Sequence, residues 1–225
     1  MKIVAVSDTH SQYKESLLFL PEGDVLVIAG DLTARGRLAD FNAGTKWLGR
    51  TKFEHKLLVA GNHDWCLFRE EEKGIALQML KDNNITYLKD SGVTIDGVVF
   101  YGSPWSPKYQ EWAFYKVRQS QELKEVWDKI PHDTDVLITH TPPYMIHDYS
   151  EMHHEHAGCE VLARKLTTLP RLKAHFFGHM HEGYGNTGIH YNVSMMDRHY
   201  KVVNPPTVVD VESGANKLVK ELGYE

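Results

Sequence analysis

Cysteine is almost absent: Cys66 and Cys159 are the only two, and neither belongs to a CxxC pair. A disulfide-stapled secreted scaffold and a thiolate metal site are thereby excluded. No apolar run reaches the length of a membrane span. Lysine and arginine never gather into a block, and the net charge is −5. Duplex nucleic acid is therefore not an expected partner, because neutralising its phosphates needs clustered positive charge. There is no Pro/Gly/Ser linker, low-complexity tract or internal repeat, so the 225 residues are expected to form a single domain, 1–225. The opening "MKIVAVSDTH" reads as a short β-branched strand and an acidic turn, not as a leader with an apolar core and cleavage site. With so few cysteines, the expected setting is reduced and cytoplasmic, with no membrane partner. Histidine is the abundant residue, 14 against 9 prolines and 8 phenylalanines. That count matters only if the histidines fall in meaningful places.

Short apolar segments alternate with amphipathic ones. Strands are expected at 2–6, 24–29, 56–60, 93–95, 98–101, 136–139, 174–177, 190–193 and 207–211. Helices are expected at 39–48, 69–81, 113–129 and 158–169. The early βα alternation predicts parallel strands covered by helices, and the crowded strands after residue 85 and near the C-terminus predict a mixed or antiparallel component. "SPWSP" (103–107) and the stretch 140–158 are irregular and long enough to line a site.

Five polar clusters each follow an apolar strand: "SDTH" (7–10), "GD" (30–31), "GNHD" (61–64), "TH" (139–140) and "GHMH" (178–181). In open α/β sheets ligands bind beyond the carboxyl ends of strands, so five such ends would surround one cleft. Asp8/His10 and His179/His181 have i, i+2 spacing, which points both side chains to one side of an extended backbone. Each cluster alone has an ordinary explanation. Asp8 would serve as a helix N-cap, Gly30-Asp31 as a turn, His140 as a hydrogen-bonded core histidine. All five together are better explained as a metal site. Asp8, His10, Asp31, Asn62, His140, His179 and His181 offer only oxygen and nitrogen, a set suited to Mn²⁺, Fe, Zn²⁺ or Ni²⁺. So many ligands fit two divalent ions sharing a carboxylate, the arrangement that clamps a phosphate during in-line displacement.

The order D-x-H, G-D, G-N-H-D, H, G-H-x-H, running from Asp8 to His181, resembles the calcineurin-like metallophosphoesterase superfamily. "GSPWSP", "THTPP", "HEGYG" and "NPPTVVDV" look like its small metallophosphoesterase-domain-containing members, grouped with class III cyclic nucleotide phosphodiesterases. Some vertebrate members carry glycine where this sequence has His179, so its presence implies a fuller site and higher activity. The resemblance implies an α/β fold, a four-layer αββα sandwich of two mixed sheets. It implies two divalent ions, with manganese expected first and Fe, Zn, Ni or Mg as alternatives. Asp8, His10, Asp31 and His181 would hold one, and Asp31, Asn62, His140 and His179 the other, with Asp31 bridging. A hydroxide between the ions would attack phosphorus while His63 protonates the leaving oxygen. Asp64 would orient and charge His63 through a hydrogen bond. The implied activity is hydrolysis of a small phosphodiester or nucleotide, such as a cyclic nucleotide. The rivals are a phosphomonoesterase or nucleotide pyrophosphatase and, from another class, a non-catalytic metal-binding scaffold. Arg35 and Arg37 read as solvated, or as phosphate contacts. Trp105, Tyr109 and Trp112 read as core or wall packing rather than base stacking. His153, His154 and His156 read as a polar loop, and both cysteines as buried small apolar residues.

Overall fold

The first third of the chain alternates strand and helix, as its apolar spacing predicts. The computed structural model describes residues 1–13 and 19–212. It opens with β1 (Lys2–Val6), β2 (Val25–Ala29), α1 (Leu38–Gly49), β3 (His55–Val59), α2 (Glu70–Asp82) and β4 (Thr86–Tyr87). These four strands run parallel. Their β-branched residues suit a pleated surface buried on both sides. Alternation then divides the side chains. Val4, Val6, Leu26, Ile28 and Leu58 pack with Phe41, Leu48, Ala76 and Leu80 of α1 and α2. Ile3, Ala5, Val25, Val27, Leu57 and Val59 point the other way.

The remainder supplies the second sheet, two small two-stranded sheets and a last strand that returns to the first sheet. In order come β5 (Ser91–Ile95), β6 (Val98–Ser103), β7 (Ser106–Pro107), β8 (Tyr115–Lys116), α3 (Gln121–Asp128) and β9 (Val136–Thr139). Then follow β10 (Tyr149–Ser150), β11 (Glu155–His156), α4 (Glu160–Leu166), β12 (Ala174–Phe177), β13 (Gly185–Thr187), β14 (His190–Asn192) and β15 (Thr207–Asp210). The two large sheets have the orders β15-β1-β2-β3-β4 and β13-β14-β12-β9-β6-β5. β5 and β6 form an antiparallel hairpin, closed at Asp96-Gly97 with both φ positive, as a type I′ turn requires.

Val98, Phe100, Val136, Ile138, Ala174 and Phe176 meet the inner face of the first sheet. Tyr101 and Leu137 face outward onto Leu123, Val126, Trp127 and Leu162 of α3 and α4. The layers are thus helix, sheet, sheet, helix, the expected αββα sandwich. Each fully buried Leu, Ile, Val or Phe contributes about 1.5–3 kcal/mol relative to exposure. No described helix is long and apolar enough to cross a membrane. Cys66 and Cys159 are free and buried, as expected.

The main departure is α3. A helix expected over 113–129 occupies only Gln121–Asp128, with Ser120 Oγ accepting from Leu123 N at 3.1 Å as its cap. Ala113 and Phe114 are instead buried in the core beside α1 and α2, and β8 pairs with β7. Tertiary burial overrides the helical pattern there. The α4 helix is also shorter than expected, and the short strands β4 and β13 have no counterpart in the sequence pattern.

Candidate metal centre

β1, β2 and β3 are parallel neighbours in one sheet, and β9 and β12 are parallel neighbours in the other. All five polar clusters follow their carboxyl ends. A bridge between Ser7 and Ser194 joins the first sheet's edge to the segment after β14. Successive loops are tied together by Asp8 N→Gly30 O (3.0 Å), His10 N→Asp31 O (3.1 Å) and Gly178 N→His140 O (3.1 Å). Four of the seven expected ligands hold left-handed backbone: Asp8 (φ 54°), His10 (42°), Asp31 (51°) and His179 (70°). Each such residue costs on the order of 1–3 kcal/mol, and strain of this kind concentrates at functional sites. Two glycines make the room required. A Cβ at Gly61 would overlap the Asp31 carboxylate, and one at Gly178 would overlap that of Asp8.

The structure brings all seven together. Asp31 Oδ2 lies 3.4 Å from His140 Nε2 and 3.7 Å from His10 Nε2. Asp8 Oδ1 lies 3.7 Å from His181 Nε2 and 4.0 Å from His10 Nε2. Asn62 Oδ1 is 2.9 Å from His140 Nε2, and the rings of His140 and His179 are 5.0 Å apart. The His179 backbone N–H donates to both oxygens of Asp8, at 3.2 and 3.1 Å. Asp31 therefore faces histidines of both expected sets, which is where a shared ligand must be. Asp8 borders both sets as well, since it groups with His10 and His181 and also with Asp31 and His140.

The donor chemistry fits cations. His140 Nδ1 donates to Ala29 O at 2.9 Å, and His181 Nδ1 to Asp197 O at 3.1 Å. In neutral rings those bonds leave Nε2 as the lone-pair nitrogen, the tautomer that binds metal. A lone pair then faces a lone pair where His140 Nε2 meets Asn62 Oδ1, and His10, whose Nε2 lies 3.2 Å from His181 Nε2, keeps a buried Nδ1 without a hydrogen-bond partner. Asp8 and Asp31 are buried, and among the described residues no lysine or arginine pairs with either. Such an assembly needs positive charge from protons or metal ions.

Protonation shifts report the same field. Burial pushes the His140 ring down, but the Asp31 and Asp8 carboxylates outweigh it and raise His140 to about 9. Burial prevails at His10, lowered to about 4, and at His179, lowered to about 3. Burial also opposes ionisation of Asp8 and Asp31, yet the imidazoles of His181 and His140 hold both below the ordinary carboxylate range.

His63 stands beside this cluster. Its Nε2 is 4.0 Å from Asp31 Oδ2, its backbone N–H donates to Asp31 Oδ1 at 2.8 Å, and its Nδ1 donates to Ala34 O at 2.7 Å. The expected hydrogen bond from Asp64 to His63 does not form. Asp64 instead accepts from Gly61 N (2.9 Å), Leu32 N (3.3 Å), Thr33 N (2.9 Å) and Thr33 Oγ1 (2.8 Å). Fully buried, it ties the β2 and β3 loops together, and the Ala34 carbonyl takes the place expected of it. Burial, then the Asp31 charge, raises Asp64 to about 6.

Two aromatic residues stand at this edge, of which Tyr200 carried no sequence signal. Tyr200 sets its ring edge-on to His10 and His181, at 5.0 and 5.1 Å, and Trp112 lies 4.2 Å from the His63 ring. Expected in a wall, Trp112 in fact covers His63. Trp105 packs in the core with its Nε1 on Asp90, whereas Tyr109 is exposed and bonds His153. His156 binds Asp148 at 2.7 Å, and His154 is exposed. Arg35 and Arg37 are exposed on the loop entering α1.

Residues 1–183 match the family profile of calcineurin-like phosphoesterases. This chain belongs to that family. The metallophosphoesterase domain-containing protein 1 of Homo sapiens and that of Mus musculus are each 35% identical over 238 residues, covering 96% of this chain and 72% of their own. A UPF0046 protein of Caenorhabditis elegans is 39% identical over 197 residues, covering 82% of this chain and 65% of its own. A crystal structure of TT1561 from Thermus thermophilus superposes with TM-score 0.55 at 15% identity, covering 94% of this chain and 99% of that one. Another solved structure reaches 0.62 at 18% identity, covering 86% and 88%. At such identities the superpositions speak for the fold. As a calcineurin-like phosphoesterase, the chain is a metal-dependent phosphoesterase, and among its described residues are Asp/His groups placed closely enough to hold divalent ions.

Proposed function

We propose that the protein is a phosphodiesterase acting on a small phosphodiester such as a cyclic nucleotide, with two divalent ions and His63 as proton donor. The observation that carries this reading is the placement of His63, beside the ligand cluster but anchored to Ala34 O rather than buried within it. Asp8, His10, Asp31 and His181 would hold one ion, and Asp31, Asn62, His140 and His179 the other. Bound divalent ions neutralise phosphoryl charge and supply a nucleophile at neutral pH, and manganese suits four imidazoles better than magnesium. Two such ions outweigh the charge of two ligand carboxylates, so the cleft attracts phosphate despite the acidic chain.

His63 then performs the proton transfer. Its Nδ1–H is committed to Ala34 O, which leaves Nε2 to carry a proton to the leaving oxygen. Asp64 keeps the Gly61 turn and the Leu32–Thr33 backbone in register beneath it. One observation favours a second reading. His63 groups with His10 and Asp31 closely enough to join a metal shell. A non-catalytic scaffold is the weaker rival, because such a protein has no need of a complete ligand set with a histidine added.

A metal-reconstituted turnover screen tests the proposal, comparing 2′,3′-cyclic and 3′,5′-cyclic nucleotides, dinucleotides and monoesters. Preference for a phosphodiester is the expected result. Preference for monoesters or pyrophosphates would replace the reading, and ion binding without turnover would favour the scaffold.

A further inference from the structure

We propose that Trp112 is a positioning residue that fixes the plane of the His63 imidazole for proton transfer. The inference rests on His63 being the proton donor. A single hydrogen bond, Nδ1 to Ala34 O at 2.7 Å, fixes one point of the ring and leaves it free to tilt about that point. A face contact removes the tilt. Trp112 supplies it, with centroids 4.2 Å apart and planes 36° from parallel, while His10 meets the same ring edge-on at 4.7 Å. The His63 side chain is 14% exposed, so solvent alone does not set its orientation.

Trp112 is itself held firmly. The next residue, Ala113, is fully buried and donates its N–H to Asn62 O at 3.3 Å, one residue before His63. Phe114, also fully buried, meets Phe68 and Trp105 edge-on at 5.2 and 5.9 Å. Its carbonyl accepts from Ser106 N at 2.9 Å. The segment after "SPWSP" is thus clamped to the "GNHD" loop, and the clamp delivers an indole to the imidazole. This also accounts for the broken helix: Ala113 and Phe114 serve the site's edge instead of α3. With Asp64 committed to backbone N–H groups, among the described residues the ring is oriented by Ala34, Trp112 and its neighbour His10.

The test is a cycle of variants, His63→Ala, Trp112→Ala, Trp112→Phe and the double Ala variant, in the metal-loaded protein. kcat and KM are measured on 2′,3′-cyclic AMP, whose alkoxide needs a proton, and on bis(4-nitrophenyl) phosphate, whose nitrophenolate does not. Metal content and melting temperature are recorded on the same samples. Trp112→Ala should lower kcat on the cyclic nucleotide about tenfold, with KM and bound ions unchanged. The loss on the nitrophenyl ester should stay under about threefold, and Trp112→Phe should restore most of the activity. In the His63→Ala background, removing the indole should cost nothing more. A further loss in that background, or a rise in KM on both substrates, would mean that Trp112 meets the substrate directly and would overturn the inference. If His63→Ala shows the leaving-group dependence and Trp112→Ala does not, only the positioning role fails. If His63→Ala itself loses equally on both substrates, the proton-donor reading fails and takes this inference with it.

Discussion

His140 and His175 belong to neighbouring parallel strands, and both are fully buried. One stands just past the end of β9, the other inside β12. His175 is satisfied by neutral partners, with Nε2 2.9 Å from Thr139 Oγ1 and Nδ1 3.3 Å from His190 Nδ1. Burial, reinforced by His190, pushes it well below the usual histidine range. His140 meets Asp31 and Asn62 and is raised to about 9 against the same burial. Burial alone therefore does not mark a ligand. What separates the two rings is a carboxylate that has no lysine or arginine partner among the described residues, and strand ends are where this fold puts such carboxylates.

The comparison can be broken in several ways. Chelation acts only on the strand-end set and should abolish turnover, with Mn²⁺ restoring it at least as well as Mg²⁺ because imidazoles disfavour a magnesium site. Full activity in chelator, with metal removal verified by elemental analysis, would dissolve the distinction. Replacing Asp31 by Asn should lower kcat/KM by more than ~100-fold, beyond the cost of losing a group that merely supports a ligand. Asp8→Asn should lose less, since Asp31 faces both sets through His10 and His140. Equal losses would mean that both carboxylates are shared.

Asp64→Asn tests the corrected role of that residue. Its amide would turn donors toward backbone N–H groups, costing on the order of 1–3 kcal/mol of stability in denaturant unfolding. Its effect on turnover should be the same for good and poor leaving groups. A leaving-group dependence like that of His63→Ala would restore the direct contact.

His175→Gln should show the opposite profile to any ligand variant: stability lower by about 1–3 kcal/mol at pH 8, turnover within a few-fold. Its pH dependence sharpens the contrast. The folded chain keeps His175 neutral, while the unfolded chain binds a proton below about pH 6.5. Wild-type stability from this group is complete above that pH and is lost as pH falls. The deficit of the Gln variant should therefore narrow from pH 8 to pH 5. A constant deficit would mean that burial does not depress the group.

The strands carrying the clusters were readable because β-branched runs end abruptly at Gly, Asp or His, and their ends moved by only a residue. The clustering of the seven candidate ligands was readable for the same reason, since each lies within a few residues of a strand end. Three features were hidden. The helix expected over 113–129 looked periodic, but Ala113 and Phe114 are claimed by core partners distant in sequence. Asp64 adjoins His63 in the chain, which suggested a contact, while its actual partners are Gly61 N in its own loop and Leu32 N, Thr33 N and Thr33 Oγ1 of the β2 loop. Trp112 carries no local sign that it reaches His63, because that contact depends on a clamp between two loops.

The most direct measurement is the number of ions bound per chain after reconstitution with Mn²⁺, in wild type, His140→Gln and His175→Gln. The account predicts two ions in the wild type, two in the His175 variant and one or none in the His140 variant. Two ions retained without His140, or ions lost from the His175 variant while it remains folded, would contradict it.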